Sequence, residues 1–217
     1  MKVSDPGGYS QAVSLTAKDR LIRAAEELFA QKGFDATSLR EISVLAGQKN
    51  KNAVQYHFVD KKGLITAIWQ RHALTIEKSR SAMLASVDPA AEMELDFLVQ
   101  SIVLPIAYKL NDNDGGRHYI QIMSHLISYS GMSLIELFDY IPDITSDSIM
   151  KSVEPYAGHL SRSQKMSRMV LVAGLIFHGL ADFIRLTEER SQLKALLDQE
   201  EYLRNLMGLV KAAFLIR

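Results

Sequence analysis

The 217-residue chain contains no cysteine, which excludes a disulfide framework, thiolate nucleophiles and cysteine-zinc sites and agrees with a reducing, cytoplasmic setting. Proline is scarce, at 5 residues, and tryptophan occurs once. The longest apolar run, Met169 to Leu180, is about a dozen residues and holds His178, short of the roughly 20 that a spanning helix needs. No membrane contact is therefore expected. The opening MKVSDPGGYSQAV has neither a basic region followed by an apolar run nor a lipidation pattern, so no signal peptide is expected. G-x-G-x-x-G, P-loop, G-x-S-x-G and H-E-x-x-H motifs are all missing, so neither catalytic residues nor a cofactor is predicted. Strand-like alternation and internal repeats are missing too, which leaves an all-α chain.

What is present is an ordinary globular balance, 47% hydrophobic and 23% charged, with room for a sizeable core. The net charge of zero is divided. Residues 1–80 carry 13 Lys and Arg against 8 Asp and Glu, a net +5, and residues 81–217 carry 12 against 17, a net −5. A basic amino-terminal head on an acidic body suits a phosphate-binding part attached to one that binds something else.

The stretch TSLREISVLAGQKNKNAVQYHF, Thr37 to Phe58, is the most informative. Ser38 with Glu41 forms an S-x-x-E capping box, so a helix is predicted from Leu39. Leu39, Ile42 and Leu45 share its inward face, and Gly47 supplies the left-handed stop. A second helix is predicted from about Lys51 to Tyr56 with Asn50 as N-cap. Two short helices joined by a glycine turn make a helix-turn-helix, whose second helix enters the DNA major groove. No acidic residue occurs between Leu45 and His57. Lys49 and Lys51 can neutralise phosphates, and the amides of Asn50, Asn52 and Gln55 can read base edges. A solvated polar helix would also fit this stretch taken alone.

The amphipathic first helix ending in Leu28-Phe29-Ala30 and Gly33-Phe34, then Thr37-Ser38, Ile42, Ala46-Gly47, Tyr56-His57-Phe58 and Lys61 before Leu64, resembles the DNA-binding domain of the TetR/AcrR family of transcriptional repressors. The turn after Gly47 is one residue longer than the commonest family pattern, which leaves the register of base-reading residues open by one position. The resemblance implies double-stranded operator DNA as partner and a DNA-binding set of Ser38, Lys49, Asn50, Lys51, Asn52, Gln55, Tyr56, His57 and Lys61. It also implies a homodimer built on two carboxy-terminal helices and a small apolar or amphipathic effector, in a regulator that is not an enzyme.

Along the chain, residues 1–15 read as a flexible arm and 16–62 as the helix-turn-helix domain, its first helix capped by Thr16 and stopped by Gly33. Residues 63–86 form a connecting helix capped by Asp60, and 87–217 a larger helical ligand-binding and dimerisation domain. Helices are predicted at Pro89–Leu110, Arg117–Ser130, Ser133–Tyr140, Thr145–Leu160, Ser163–Glu189 and Glu201–Ile216. The last two are apolar on more than one side, Leu206 and Phe214 included, and so call for a partner subunit or a bundle interior. Phe97, Tyr119, Met123, Phe138 and Phe177 are candidate ligand-binding residues, although core packing explains each equally well. Trp69 reads as core. The oxygen-rich Asn111–Gly116 loop lacks the glutamate-terminated EF-hand pattern, so no metal is predicted. His178 with Asp182, and His118 with His125, read as structural.

Overall fold

Thr16 opens α1 (Ala17–Ala36) with a reciprocal capping box: its hydroxyl accepts from the Asp19 N–H, and the Asp19 carboxylate accepts from the Thr16 N–H. These two bonds satisfy donors that a helix start otherwise leaves unpaired. The structure is a computed structural model that describes residues 15–50, 52–87, 94–128, 147–188 and 197–215, with no strand among them. The amino-terminal arm through residue 14, Lys51, the boundary at 88–93, the helix expected at Ser133–Tyr140 and Phe138 lie outside the described residues.

Leu21, Ile22, Ala25, Leu28 and Phe29 are buried along α1 as their spacing predicts. Gly33, at φ 79 and ψ 172, breaks the helix, and Phe34 folds back to within 5.5 Å of the Phe29 ring. α2 (Leu39–Leu45) starts with the Ser38–Glu41 box. It ends in a Schellman motif, with Gly47 at φ 65, the Gly47 N–H on the Val44 carbonyl and the Gln48 N–H on the Ser43 carbonyl. Ile42 is inside, but Leu45 is 46% exposed, contrary to its predicted place on the inward face.

α3 (Ala53–Phe58) begins two residues later than expected. The Asn50 side chain, instead of capping from Asn50, accepts from the Asn52 N–H at 2.9 Å and holds an extra loop residue in the turn. α4 (Lys61–Ala85) is capped by Asp60, which accepts from the Gly63 N–H at 2.9 Å. Gly63 is required there, because a Cβ would collide with the Phe58 carbonyl.

The body comprises α5 (Leu95–Ala107), a 3-10 turn (Tyr108–Asn111), α6 (Gly116–Ile127), α7 (Asp147–Ala157), α8 (Arg162–Glu188) and α9 (Gln199–Leu215). α1 packs on α2, α4 and α6; α6 packs on α8; α5 and α8 both receive α9. A single apolar core runs from head to body. α8 corrects the expectation drawn from its apolar run: as a 27-residue helix it is, by length and composition, long enough to cross a membrane. Here its stripe of Met169, Val172, Ile176, Phe177, Leu180, Phe183 and Ile184 is buried in the bundle. Leu206 and Phe214, expected at a subunit interface, are 4% and 3% exposed within the single chain. They seat α9 on its own bundle.

Between α3 and α4, Val59 adopts φ 68 and ψ −56, and the Asp60 N–H bonds to the Phe58 carbonyl at 2.8 Å. This is the rare positive-φ γ-turn, and a β-branched residue in it stores on the order of 1 to 3 kcal/mol. The Val59 side chain is largely exposed, so little packing opposes its removal. Val59→Gly is expected to raise stability by about 1 kcal/mol in denaturant unfolding, net of the entropy glycine adds to the unfolded chain. An unchanged or lower midpoint would show that the turn is not strained.

Candidate nucleic-acid interface and the cavity behind it

α3 is two-sided. Ala53, Val54 and Phe58 are buried against the head, while Asn52, Gln55, Tyr56 and His57 stand in solvent, Tyr56 at 83% exposure. Lys49 and Asn50 are exposed in the preceding turn. The Lys18 ammonium lies 5.7 Å from the Phe58 ring centroid, which brings a charge of α1 beside α3. Arg40, exposed on α2, adds a cation that the sequence reading passed over. Its signal was available, a lone arginine two residues after an N-cap.

Three residues of the predicted set are held by the head itself. Ser38 donates to Glu41 at 2.9 Å and accepts from its N–H, so its hydroxyl is used in the cap. Asn50 shapes the turn. Lys61, expected on a phosphate, donates to the carbonyls of Phe34 at 2.8 Å and Asp35 at 3.2 Å and lies over the Phe34 ring. It fastens the start of α4 to the end of α1. Asn52, Gln55, Tyr56, His57 and Lys49 remain as the solvent-facing group, with Lys51 outside the described residues.

Behind the head, Glu26 of α1 is buried at 2% exposure and receives both Arg71 and His72 of α4. Arg71 Nη1 reaches both Glu26 oxygens at 2.7 Å, and His72 Nε2 lies 2.9 Å from Oε1. Arg71 also pairs with Asp114 at 2.6 Å, and Arg23 of α1 pairs with the same carboxylate. Asp112 of the same loop takes Lys109 at 2.8 Å. The oxygen-rich loop thus serves ion pairs between head and body. Arg23's hydrogen bond first, and Arg71's after it, hold Asp114 below the usual carboxylate range.

The His72 ring stacks on Tyr119 of α6, with centroids 4.7 Å apart. Tyr119 in turn forms part of the wall of a cavity of about 650 Å³ between α4, α5, α6, α7 and α8. Of the predicted ligand residues, Tyr119 and Phe177 line it. Met123, 1% exposed, is core, and Phe97 does not reach the cavity. The lining that sequence reasoning missed comes from Trp69, Ile76 and Arg80 of α4, Ile102 and Ile106 of α5, and Met169 and Ile176 of α8. Trp69 packs against the core as expected and also forms part of the wall. His178 is held by Ser124 at 2.6 Å and Ser128 at 3.1 Å, while Asp182 pairs with Arg185.

Residues 21–68 match the sequence pattern of the tetR family of bacterial regulatory proteins. The chain is 34% identical over 73 residues to a probable HTH-type transcriptional regulator of Bacillus subtilis (strain 168), YttP, an alignment covering 32% of this chain and 35% of that protein. The match thus spans about a third of the curated relative. Among solved structures, a TetR-family regulator from Rhodococcus sp., described as putative, superposes with TM-score 0.56 at 15% identity, covering 91% of this chain and 98% of that one. Native NalD of Pseudomonas aeruginosa, the secondary repressor of the MexAB-OprM multidrug efflux pump, superposes with TM-score 0.53 at 19% identity, covering 91% and 94%. At these identities the superpositions show a shared fold.

Glu41 is held down to about 2 by its hydrogen bond from Lys32 and, after that, by the Ser38 backbone and hydroxyl. A depressed folded value means that its contribution is present above its ordinary value of 4.5 and is lost as pH falls toward 2. Glu41→Gln should therefore flatten the acid limb of stability against pH in that window. An acid limb identical in both proteins would remove this box as its cause.

Proposed function

Because the chain belongs to the tetR family of bacterial regulatory proteins, we propose that it is a cytoplasmic, homodimeric repressor released from a palindromic operator by a small apolar or amphipathic effector. The observation that carries this reading is α3: a short helix seated by Val54 and Phe58, displaying amides, an aromatic and a histidine to solvent with Lys49 beside them. Such a face is too polar for a core and has the donors that base edges and phosphates accept. No acidic residue lies between Glu41 and Asp60 to repel DNA.

The effector would enter the cavity of the body. Its walls are mostly apolar, and its size falls within the roughly 300 to 1,000 Å³ usual for small-molecule sites. Tyr119 joins that wall to His72, and His72 joins Glu26 of α1. A ligand that displaces Tyr119 therefore bears on the head without touching it. The response needs differential affinity for two head spacings, about 1 to 3 kcal/mol.

For the dimer, Leu171 of α8 and Leu209 and Leu215 of α9 are exposed at 72%, 58% and 62%. Gly208, with open space where a Cβ would stand, lies beside Leu209. These outward residues replace Leu206 and Phe214 as the proposed two-fold contact. Leu209→Glu should dissociate the dimer in sedimentation while leaving the helical signal intact, because the charge would be buried only in the dimer. Phe214→Glu should instead unfold the chain. A native protein that sediments as a monomer at micromolar concentration removes the dimer.

Selection from random duplexes should enrich a palindrome with half-site centres about 34 Å or somewhat more apart. Lys49→Ala should weaken binding to all sequences and lower the salt slope by about one. Gln55→Ala should relax the preference at one base position, by on the order of 1 to 3 kcal/mol if its contact is bidentate. No enriched palindrome would remove the repressor reading. A palindrome indifferent to Gln55→Ala would move base reading to the neighbouring amide, Asn52.

A further inference from the structure

Two donors on otherwise buried residues face the apolar cavity and are not fully used. Arg80 is 5% exposed, yet its side chain reaches the cavity wall. Its Nε donates to the Ser101 carbonyl at 3.2 Å and its Nη1 to Glu77 at 2.5 Å. A guanidinium carries five N–H groups in a rigid fork, so most remain uncommitted among the described residues. Tyr119 is 3% exposed and lines the same cavity, and its hydroxyl has no hydrogen-bond partner among the described residues. Burial pushes this phenol above its ordinary value, so it keeps its proton and can donate. Arg80 and Tyr119 thus face the same cavity from α4 and α6.

Among the described residues the anion paired with Arg80 is Glu77, a residue of the same helix whose side chain is 41% exposed. A partner this open to water can be rehydrated when it is replaced, whereas Arg80 is buried and also donates to the Ser101 carbonyl. A guanidinium and a phenol facing one cavity offer charged and neutral donors that suit a carboxylate. The rest of the wall is mostly hydrocarbon and ring faces, from Ile102, Ile106 and Phe177 among others, with the Gln70 amide and the Trp69 indole as its further polar groups.

Resting on the reading of this cavity as the effector site, we propose that its ligand is an amphipathic carboxylate: its oxygens replace Glu77 on Arg80 and accept from Tyr119, and its hydrocarbon fills the apolar remainder. A cationic ligand would need Glu77 as its partner and would leave the fixed donors unmet. A neutral one would bring no charge to replace Glu77 on Arg80.

The test is calorimetric titration of the full-length protein with decanoate, decanol and decylammonium, which share a chain and differ in the head. Decanoate should bind tightest. Tyr119→Phe, which removes one oxygen and keeps the ring, and Arg80→Gln should each weaken decanoate by about tenfold, as loss of a hydrogen bond to a charged group implies. Glu77→Gln, which removes the rival anion, should strengthen decanoate; under a cation-binding site it would weaken decylammonium instead. Decanol or decylammonium binding as tightly as decanoate, or no binding of any of the three, overturns the proposal. So does decanoate binding indifferent to Tyr119→Phe, a variant unlike Arg80→Gln in leaving the guanidinium packing untouched. Operator titration is read separately: decanoate bound in this way without change in DNA affinity supports the ligand class and removes the effector reading.

Discussion

A carboxylate with almost no access to water has to be met by charge or by donors, and in this fold Glu26 imposes that requirement on everything around it. Arg71 and His72, adjacent on α4, converge on it from one side. Asp114, from the loop before α6, then balances Arg71 and draws in Arg23. The head is thus clamped to the connecting helix α4 and to the loop before α6 by one connected set of charges. Removing one partner from such a buried set typically costs about 3 to 5 kcal/mol, because the remaining charge is left without compensation. The apolar core continues across the same junction, so head and body are joined by packing as well as by charge.

The short helix α3 has a different kind of support. With six residues it is too short to stand alone. It is carried by the Schellman turn at Gly47, the Asn50 side chain and the collision-free approach of α4 at Gly63. Lys61 and the Thr37 hydroxyl tie the returning chain to the end of α1. The outward side chains of α3 contribute nothing to this scaffold. They are free to be chosen for a ligand, which is the usual mark of a surface that binds.

How much of this was legible in the sequence depended on range. Thr16 with Asp19, Ser38 with Glu41, Gly47 and Asp60 act within four residues, and each cap lies where its spelling puts it. The α3 start was misplaced because Asn50 had two local options, capping a helix or bonding two residues on, and the bond from Asn52 prevailed. Lys61 was assigned to phosphate because nothing in its neighbourhood shows that the Phe34 carbonyl, 27 residues earlier, lies within reach. Leu206 and Phe214 were assigned to an interface because periodicity identifies an apolar face without saying what covers it. For the same reason periodicity left Met123 open between cavity and core, where it is core, and did not show that Trp69, packed against the core, also faces the cavity. One long-range feature did leave a trace. His72 falls four residues after Ile68 and four before Ile76, on a face otherwise buried and apolar, and Glu26 lies four after Ile22 on α1. Two ionisable residues on two apolar stripes are a reason to look for each other.

On the proposed reading, the position of α4 and α8 decides what the cavity can influence. α4 supplies Trp69, Ile76 and Arg80 to the wall, and its first turn is the Lys61–Gly63 segment that holds α3 in place. Near the middle of the same helix, Arg71 and His72 hold Glu26. α8 supplies Met169, Ile176 and Phe177 to the wall and carries Leu171 on the side turned away from it. A ligand pressing α4 and α8 apart would thus strain the head clamp through one helix and the subunit contact through the other. In a two-fold assembly the distance between heads depends on both, so a small displacement of one wall is sufficient to alter the spacing that two half-sites fix. Tight binding alone would not do this. Only the part of the ligand's affinity that differs between the two spacings shifts the population, and the residues able to sense that difference are those that belong to the wall and to a clamp at once, Tyr119 and α4 foremost.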